Sequence, residues 1–125
     1  MDLARKAVEE DIVIEAISTL PEQQQIILYA LSTLTLNGSR YSKLTDEPGS
    51  MFLSGELYET YSEICKRTRR DRRSARWCKE YLRELESLGL VKTQESGKGI
   101  RGHSTLIRLE CAPQKIKKAI EEILI

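Results

Sequence analysis

Residues 66–83 read KRTRRDRRSARWCKEYLR, and few folds can accommodate such a segment. It holds nine Lys/Arg and two acidic residues, a charge of +7 in a chain whose total is +1. At about 100° per residue, Arg72, Arg76, Lys79 and Arg83 fall on one narrow helical stripe. Trp77, Cys78, Tyr81, Leu82, Leu85 and Leu88 fall on the other side. One face is thus suited to a hydrophobic core and the opposite face to a polyanion.

The start of this helix sharpens the point. Arg69, Arg70, Arg72 and Arg73 crowd what reads as a helix N-terminus, where the macrodipole is positive and Asp or Glu would be the stabilising choice. An anion bound there removes the mismatch, because a helix N-terminus with arginines around it is a good phosphate site.

The surrounding pattern gives the frame. Residues 3–19 show helical spacing (Ala4, Ala7, Val8, Ile12, Ile14, Ala16, Ile17) until Leu20-Pro21. Pro21 suits the first turn of a second helix, about 21–36, with Ile26, Ile27, Ala30, Leu31 and Leu34 inward. Residues 37–53 are rich in Asn, Gly, Ser, Asp and Pro and read as a long loop, with a short strand at Met51–Leu53. Ser54 caps a third helix, about 55–67, whose inner face is Leu57, Tyr61, Ile64 and Cys65. Thr68–Asp71 form a turn, Asp71 caps the basic helix over about 72–88, and Gly89 ends it. Two helices joined this closely form a helix-turn-helix. Residues 90–95 and 104–109 then read as two strands around the glycine-rich tip SGKGIRGH, and Pro113 opens a last amphipathic helix to about 124. A helix-turn-helix running directly into such a hairpin is a winged helix. The predicted fold is therefore mainly α with a β-hairpin wing, an α+β winged helix-turn-helix with an extra N-terminal helix.

Several chemistries find no support. Three cysteines (Cys65, Cys78, Cys111) stand far apart, without a CxxC pair and with a single histidine, so no metal site is expected; Cys65 and Cys78 sit on apolar faces as buried thiols. Gly97-Lys98-Gly99-Ile100-Arg101-Gly102 spells GxGxxG, but a strand follows it where a dinucleotide site requires a helix. Its glycines instead let the tip turn tightly and approach a phosphate backbone. His103 has only Ser104 as a neighbouring nucleophile, and adjacent strand residues point to opposite faces, so catalysis is not expected. Trp77 and Tyr81 read as core and rim packing rather than stacking platforms. No run of 18 apolar residues occurs, so no membrane helix is expected, and the acidic amphipathic N-terminus is unlike a signal peptide. These features point to a cytoplasmic protein.

The chain resembles the C-terminal winged-helix domain of archaeal replication initiators, the origin-recognition and helicase-loader proteins of the Orc/Cdc type. The residues that carry the resemblance are Leu20-Pro21 opening a helix with Ile27-Leu28 and Ala30-Leu31, and Ser54-Gly55-Glu56-Leu57-Tyr58 with Tyr61. They continue with Arg72-Arg73 running into Tyr81-Leu82-Arg83-Glu84-Leu85-Glu86, then Leu88-Gly89-Leu90-Val91. Last come Arg101-Gly102-His103-Ser104-Thr105 and Ile107-Arg108-Leu109. The resemblance implies that residues 1–19 are the tail of a preceding ATPase lid domain and 20–125 the DNA-binding domain. It implies a fragment starting at an added Met1, with no Walker motif, no enzymatic activity and no cofactor of its own, ATP and Mg2+ belonging to the absent ATPase module. The implied partners are double-stranded origin DNA and the MCM helicase; no membrane is involved, and the fragment is expected to be monomeric. The implied DNA contacts fall on Arg72, Arg73, Arg76, Lys79 and Arg83 of the recognition helix and on Lys98, Arg101 and His103 of the wing, with Gly99 and Gly102 permitting close approach. Arg69 and Arg70 join this set from the turn. The recognition helix is unusually arginine-rich for the family. Two other readings stay open on the sequence: a transcriptional regulator that dimerises through its terminal helices to bind an operator, and a winged helix that binds an acidic protein.

Overall fold

The computed structural model describes residues 12–37, 51–95 and 105–124. In chain order these form helix α1 (12–18), α2 (Glu22–Asn37), strand β1 (Phe52–Leu53), α3 (Ser54–Arg67), α4 (Ala75–Ser87), β2 (Val91–Glu95), β3 (Thr105–Leu109) and α5 (Pro113–Leu124). The strands make an antiparallel sheet in the order β1-β3-β2.

Helix α2 is the centre of the domain. Its expected inward residues are all buried, and Leu28 joins them. The helix is apolar over most of its circumference because α3, α4, α5 and β3 all pack around it. Polar residues that become buried there must find partners. Gln25 does so by donating to the Ile17 carbonyl at 2.9 Å, which ties α1 to α2, and Gln24 donates to Glu84 Oε2 at 2.6 Å, which ties α2 to α4. Ile116 and Ile120 seat α5 on this core, while Ile123 of the same helix stays exposed.

The helix-turn-helix departs from expectation at both helix starts. Ser54 is the first residue of α3 rather than its cap; Leu53 holds the cap position, in extended backbone and without a side-chain bond. Asp71 does not cap α4. Ser74 does, its hydroxyl accepting from the Trp77 N–H at 3.4 Å, so the helix begins at Ala75 and Arg72 and Arg73 precede it. The reason lies in the turn. The buried Tyr61 of α3 accepts a hydrogen bond from the Arg73 N–H at 2.7 Å and donates to Gln23 Oε1 at 2.5 Å, and Tyr58 donates to the Arg73 carbonyl at 3.1 Å. Gln23 Nε2 donates to the Asp71 carbonyl at 3.0 Å. Both backbone groups of Arg73 are engaged outside any helix, so α4 cannot start before them. Burial pushes the Tyr61 phenol up, which keeps its proton available to Gln23.

Both helices of the unit end alike. At α4 the Gly89 N–H bonds the Glu86 carbonyl and the Leu90 N–H bonds the Leu85 carbonyl, with Gly89 at φ +79°. At α3 the Arg69 N–H bonds the Lys66 carbonyl and the Arg70 N–H bonds the Cys65 carbonyl, with Arg69 at φ +56°. An arginine thus occupies a left-handed position that glycine usually fills.

Along α4, Cys78, Leu82 and Leu85 are buried as expected, but Trp77 and Leu88 are not core: they are 57% and 56% exposed. The core-facing arc of α4 is narrower than the sequence pattern suggests: its main described packing partners are α2 and the root of the hairpin, and Trp77 and Leu88 fall outside that arc. Burial pushes the Cys78 thiol up to about 11, in keeping with an inert core residue. Replacing Tyr61 by Phe removes the hydroxyl that links α2 to the turn and is expected to destabilise the domain by about 1–3 kcal/mol. Urea unfolding should show this as a lower midpoint at unchanged m-value.

Candidate nucleic-acid interface

The positions of the basic residues follow from that anchored turn. Arg69, Arg72, Arg73, Arg76, Lys79 and Arg83 are all exposed. Arg76, Lys79 and Arg83 share one face of α4 and line a groove of about 570 Å³. Its other walls are the start of α3 (Ser54, Gly55, Tyr58) and the root of the hairpin (Thr93, Glu95, Thr105). No acidic residue occupies the first turn of α4, so the positive end of its dipole is reinforced by arginine rather than offset.

The individual guanidinium groups differ. Arg69, Arg73, Arg76 and Lys79 make no side-chain ion pair among the described residues. Arg83 has a loose, exposed pair with Glu80 at 3.4 Å, which solvent screens and which is easily exchanged. Arg72 lies over the Tyr58 ring at 5.9 Å and reaches Ser62 at 3.4 Å. Arg70 is held internally: it pairs with Glu22 at the start of α2 and donates to the Leu124 carbonyl at the end of α5 at 3.2 Å. It braces three helices, and its charge is the least available of the set. Lys98, Gly99, Arg101, Gly102 and His103 lie outside the described residues. Their segment joins β2 to its antiparallel neighbour β3, so the GxGxxG spelling stands between two strands and lacks the helix a dinucleotide site needs.

Sequence reasoning missed how the hairpin is held to α4. Glu86 Oε2 accepts from both the N–H and the hydroxyl of Thr93, at 2.5 and 2.7 Å. Strand β2 is at the sheet edge, so the carboxylate satisfies an N–H that would otherwise be open to another strand. The three glutamines after Pro21 were also missed. The signal was present as QQQ directly before an apolar run, a place where buried polar side chains must find partners.

Known proteins fit this geometry. The family model described as "CDC6, C terminal winged helix domain" matches residues 15–119. The chain belongs to this family. An ORC1-type DNA replication protein of Pyrococcus abyssi is 32% identical over 114 residues, covering 91% of the chain and 25% of that protein. ORC1-type DNA replication protein 1 of Archaeoglobus fulgidus is 29% identical over 119 residues, covering 95% of the chain and 26% of that protein. The chain thus spans about a quarter of the length of the curated relatives it matches. The Aeropyrum pernix Orc1 protein, solved in complex with DNA, superposes with a TM-score of 0.78 at 25% identity, over 95% of the chain and 28% of that protein. Cdc6p of Pyrobaculum aerophilum shares the fold, with a TM-score of 0.63 at 22% identity, over 93% of the chain and 27% of that protein. What the chain shares with the family is a winged-helix domain, which is not a catalytic module. Among the described residues no helix is long and apolar enough to cross a membrane.

The Glu86 carboxyl is held below its ordinary value of 4.5, first by the Thr93 hydroxyl and then by the Thr93 N–H. A lowered folded-state pKa contributes stability that is present above the ordinary value and lost as pH falls through the folded one. The Thr93 amide resonance should therefore titrate below pH 4.5 and not above it. In Glu86→Gln, which keeps the acceptor without the proton equilibrium, that titration should vanish.

Proposed function

We propose that this domain binds double-stranded DNA as part of a replication initiator, recognising origin sequence and helping to load the replicative MCM helicase. Helix α4 enters the major groove and its basic face meets phosphates and guanine edges. The hairpin tip, with Lys98, Arg101 and His103, grips the neighbouring backbone or minor groove. The observation that carries the reading is the exposed basic set at the start and along one face of α4, of which Arg69, Arg73, Arg76 and Lys79 make no ion pair among the described residues, on a fold shared with an Orc1 protein solved in complex with DNA. On this reading residues 1–19 continue from a preceding ATPase lid domain, and ATP and Mg2+ belong to that module. The domain itself is monomeric and works at the nucleoid.

The test is an anisotropy titration with random duplex DNA at several salt concentrations. Four to seven phosphate contacts are a reasonable guess from the basic residues available, and each should add about −0.9 to the log–log slope. Arg76→Ala should cost about 1–3 kcal/mol on a preferred sequence, and Lys98→Ala should weaken all sequences alike and flatten the slope by about one contact. A slope near zero, or no binding at low salt, would leave the acidic-protein reading in its place.

Arg69 offers an independent check. The left-handed backbone costs a non-glycine residue about 1–2 kcal/mol, part of which glycine returns through its own unfolded-state entropy. Arg69→Gly should therefore raise stability by up to about 1 kcal/mol in thermal unfolding. The same variant should bind duplex DNA more weakly and with a shallower salt slope.

A further inference from the structure

Trp77 is the only tryptophan in the chain, and the core does not use it: it is 57% exposed. It is the third residue of α4. A helical side chain leans toward the N-terminus of its helix and covers the preceding turn, so the indole lies over the Arg73–Ser74 end rather than along the helix. Tyr81, one turn later and partly buried against the core, supports it from behind, with ring centroids 6.0 Å apart and planes tilted by 31°. Arg73 and Arg76 stand on either side of it in sequence, exposed and without ion pairs among the described residues.

Exposed Leu88 shares this flank of α4, but it lies about 16 Å along the helix axis at 1.5 Å per residue. The two side chains do not make one continuous apolar patch of the size that marks a protein-docking face. What the leading end of α4 presents is a single exposed indole stacked on Tyr81, with exposed Arg73 just before the helix and Arg76 next to it in the chain. That combination matches a DNA groove, where anionic strands border apolar thymine methyl groups.

We infer that Trp77 is a specificity-determining residue whose indole packs against thymine 5-methyl groups in the major groove when α4 docks. The inference rests on the DNA-binding reading above, and its test separates the two. An A·T-rich duplex and the same duplex with uracil replacing thymine differ only in the methyl groups. The chain is titrated with each, following both anisotropy of the labelled DNA and the emission of Trp77. The expected result is an emission change that saturates together with the anisotropy, and about fourfold tighter binding of the thymine duplex per methyl buried. Trp77→Ala, checked for folding by circular dichroism, should bind both duplexes equally and keep the wild-type salt slope. Trp77→Phe should retain part of the thymine preference. DNA binding with unchanged Trp77 emission, or equal affinity of the wild type for the two duplexes, overturns the inference while leaving the DNA-binding reading standing. No binding of either duplex at low salt overturns both.

Discussion

The candidate interface depends on the hydroxyl group of a buried tyrosine. Tyr61 is buried in α3, yet its Oη accepts from the Arg73 N–H and donates to Gln23 on α2. With Tyr58 on the Arg73 carbonyl and Gln23 on the Asp71 carbonyl, the connection between α3 and α4 has its backbone polar groups bound to two separate helices. A turn so constrained cannot slide into helix or fray into solvent without leaving several polar groups unpaired, each at a cost of about 1–3 kcal/mol. The constraint sets where α4 begins, and the start of α4 sets where the arginines point.

This arrangement also accounts for the conflicts of local preference that gather at one place. Arginine is a poor choice beside a helix N-terminus, and a poor choice at a left-handed helix stop. Arg69, Arg72 and Arg73 take those positions within five residues of one another. Elsewhere the usual rules mostly hold: glycine stops α4, Glu22 opens α2, and buried Gln24 and Gln25 are bonded, although Leu53 leaves α3 without a side-chain cap. Local rules broken together, amid general compliance, are a mark of a site shaped by something other than stability.

Most of the fold was legible because it rests on periodicity. The order of elements, the buried positions of α2 and α3, the short β1 strand and both ends of the hairpin all follow from apolar spacing and glycine or proline punctuation. What was not legible depends on contacts between elements remote in sequence. Asp71 and Ser74 are both good caps, and the choice between them is made by Tyr61 and Tyr58, ten or more residues earlier. Trp77 lies within about 40° of Tyr81 on the helical wheel and shares its aromatic character, yet Tyr81 packs against the core while Trp77 stays exposed. Arg70 and Arg73 look interchangeable in the sequence; among the described residues one is bound between Glu22 and the end of α5 while the other is held through its backbone.

The same distinction governs how the hairpin is joined to the helices. The root of the hairpin shares core residues Val91, Ile107 and Leu109 with the helices, so its base is fixed by packing. Farther along β2, the link to α4 that stands out is the exposed Glu86 carboxylate on Thr93, made through hydrogen bonds in water. Such a link holds direction at little cost and yields readily, unlike a packed core, which resists small displacements. The start of α4 is thus held through Tyr61 and Gln23, and the hairpin beyond its packed root through Glu86 and Thr93. On the DNA-binding reading proposed above, that arrangement suits DNA whose groove width varies with sequence.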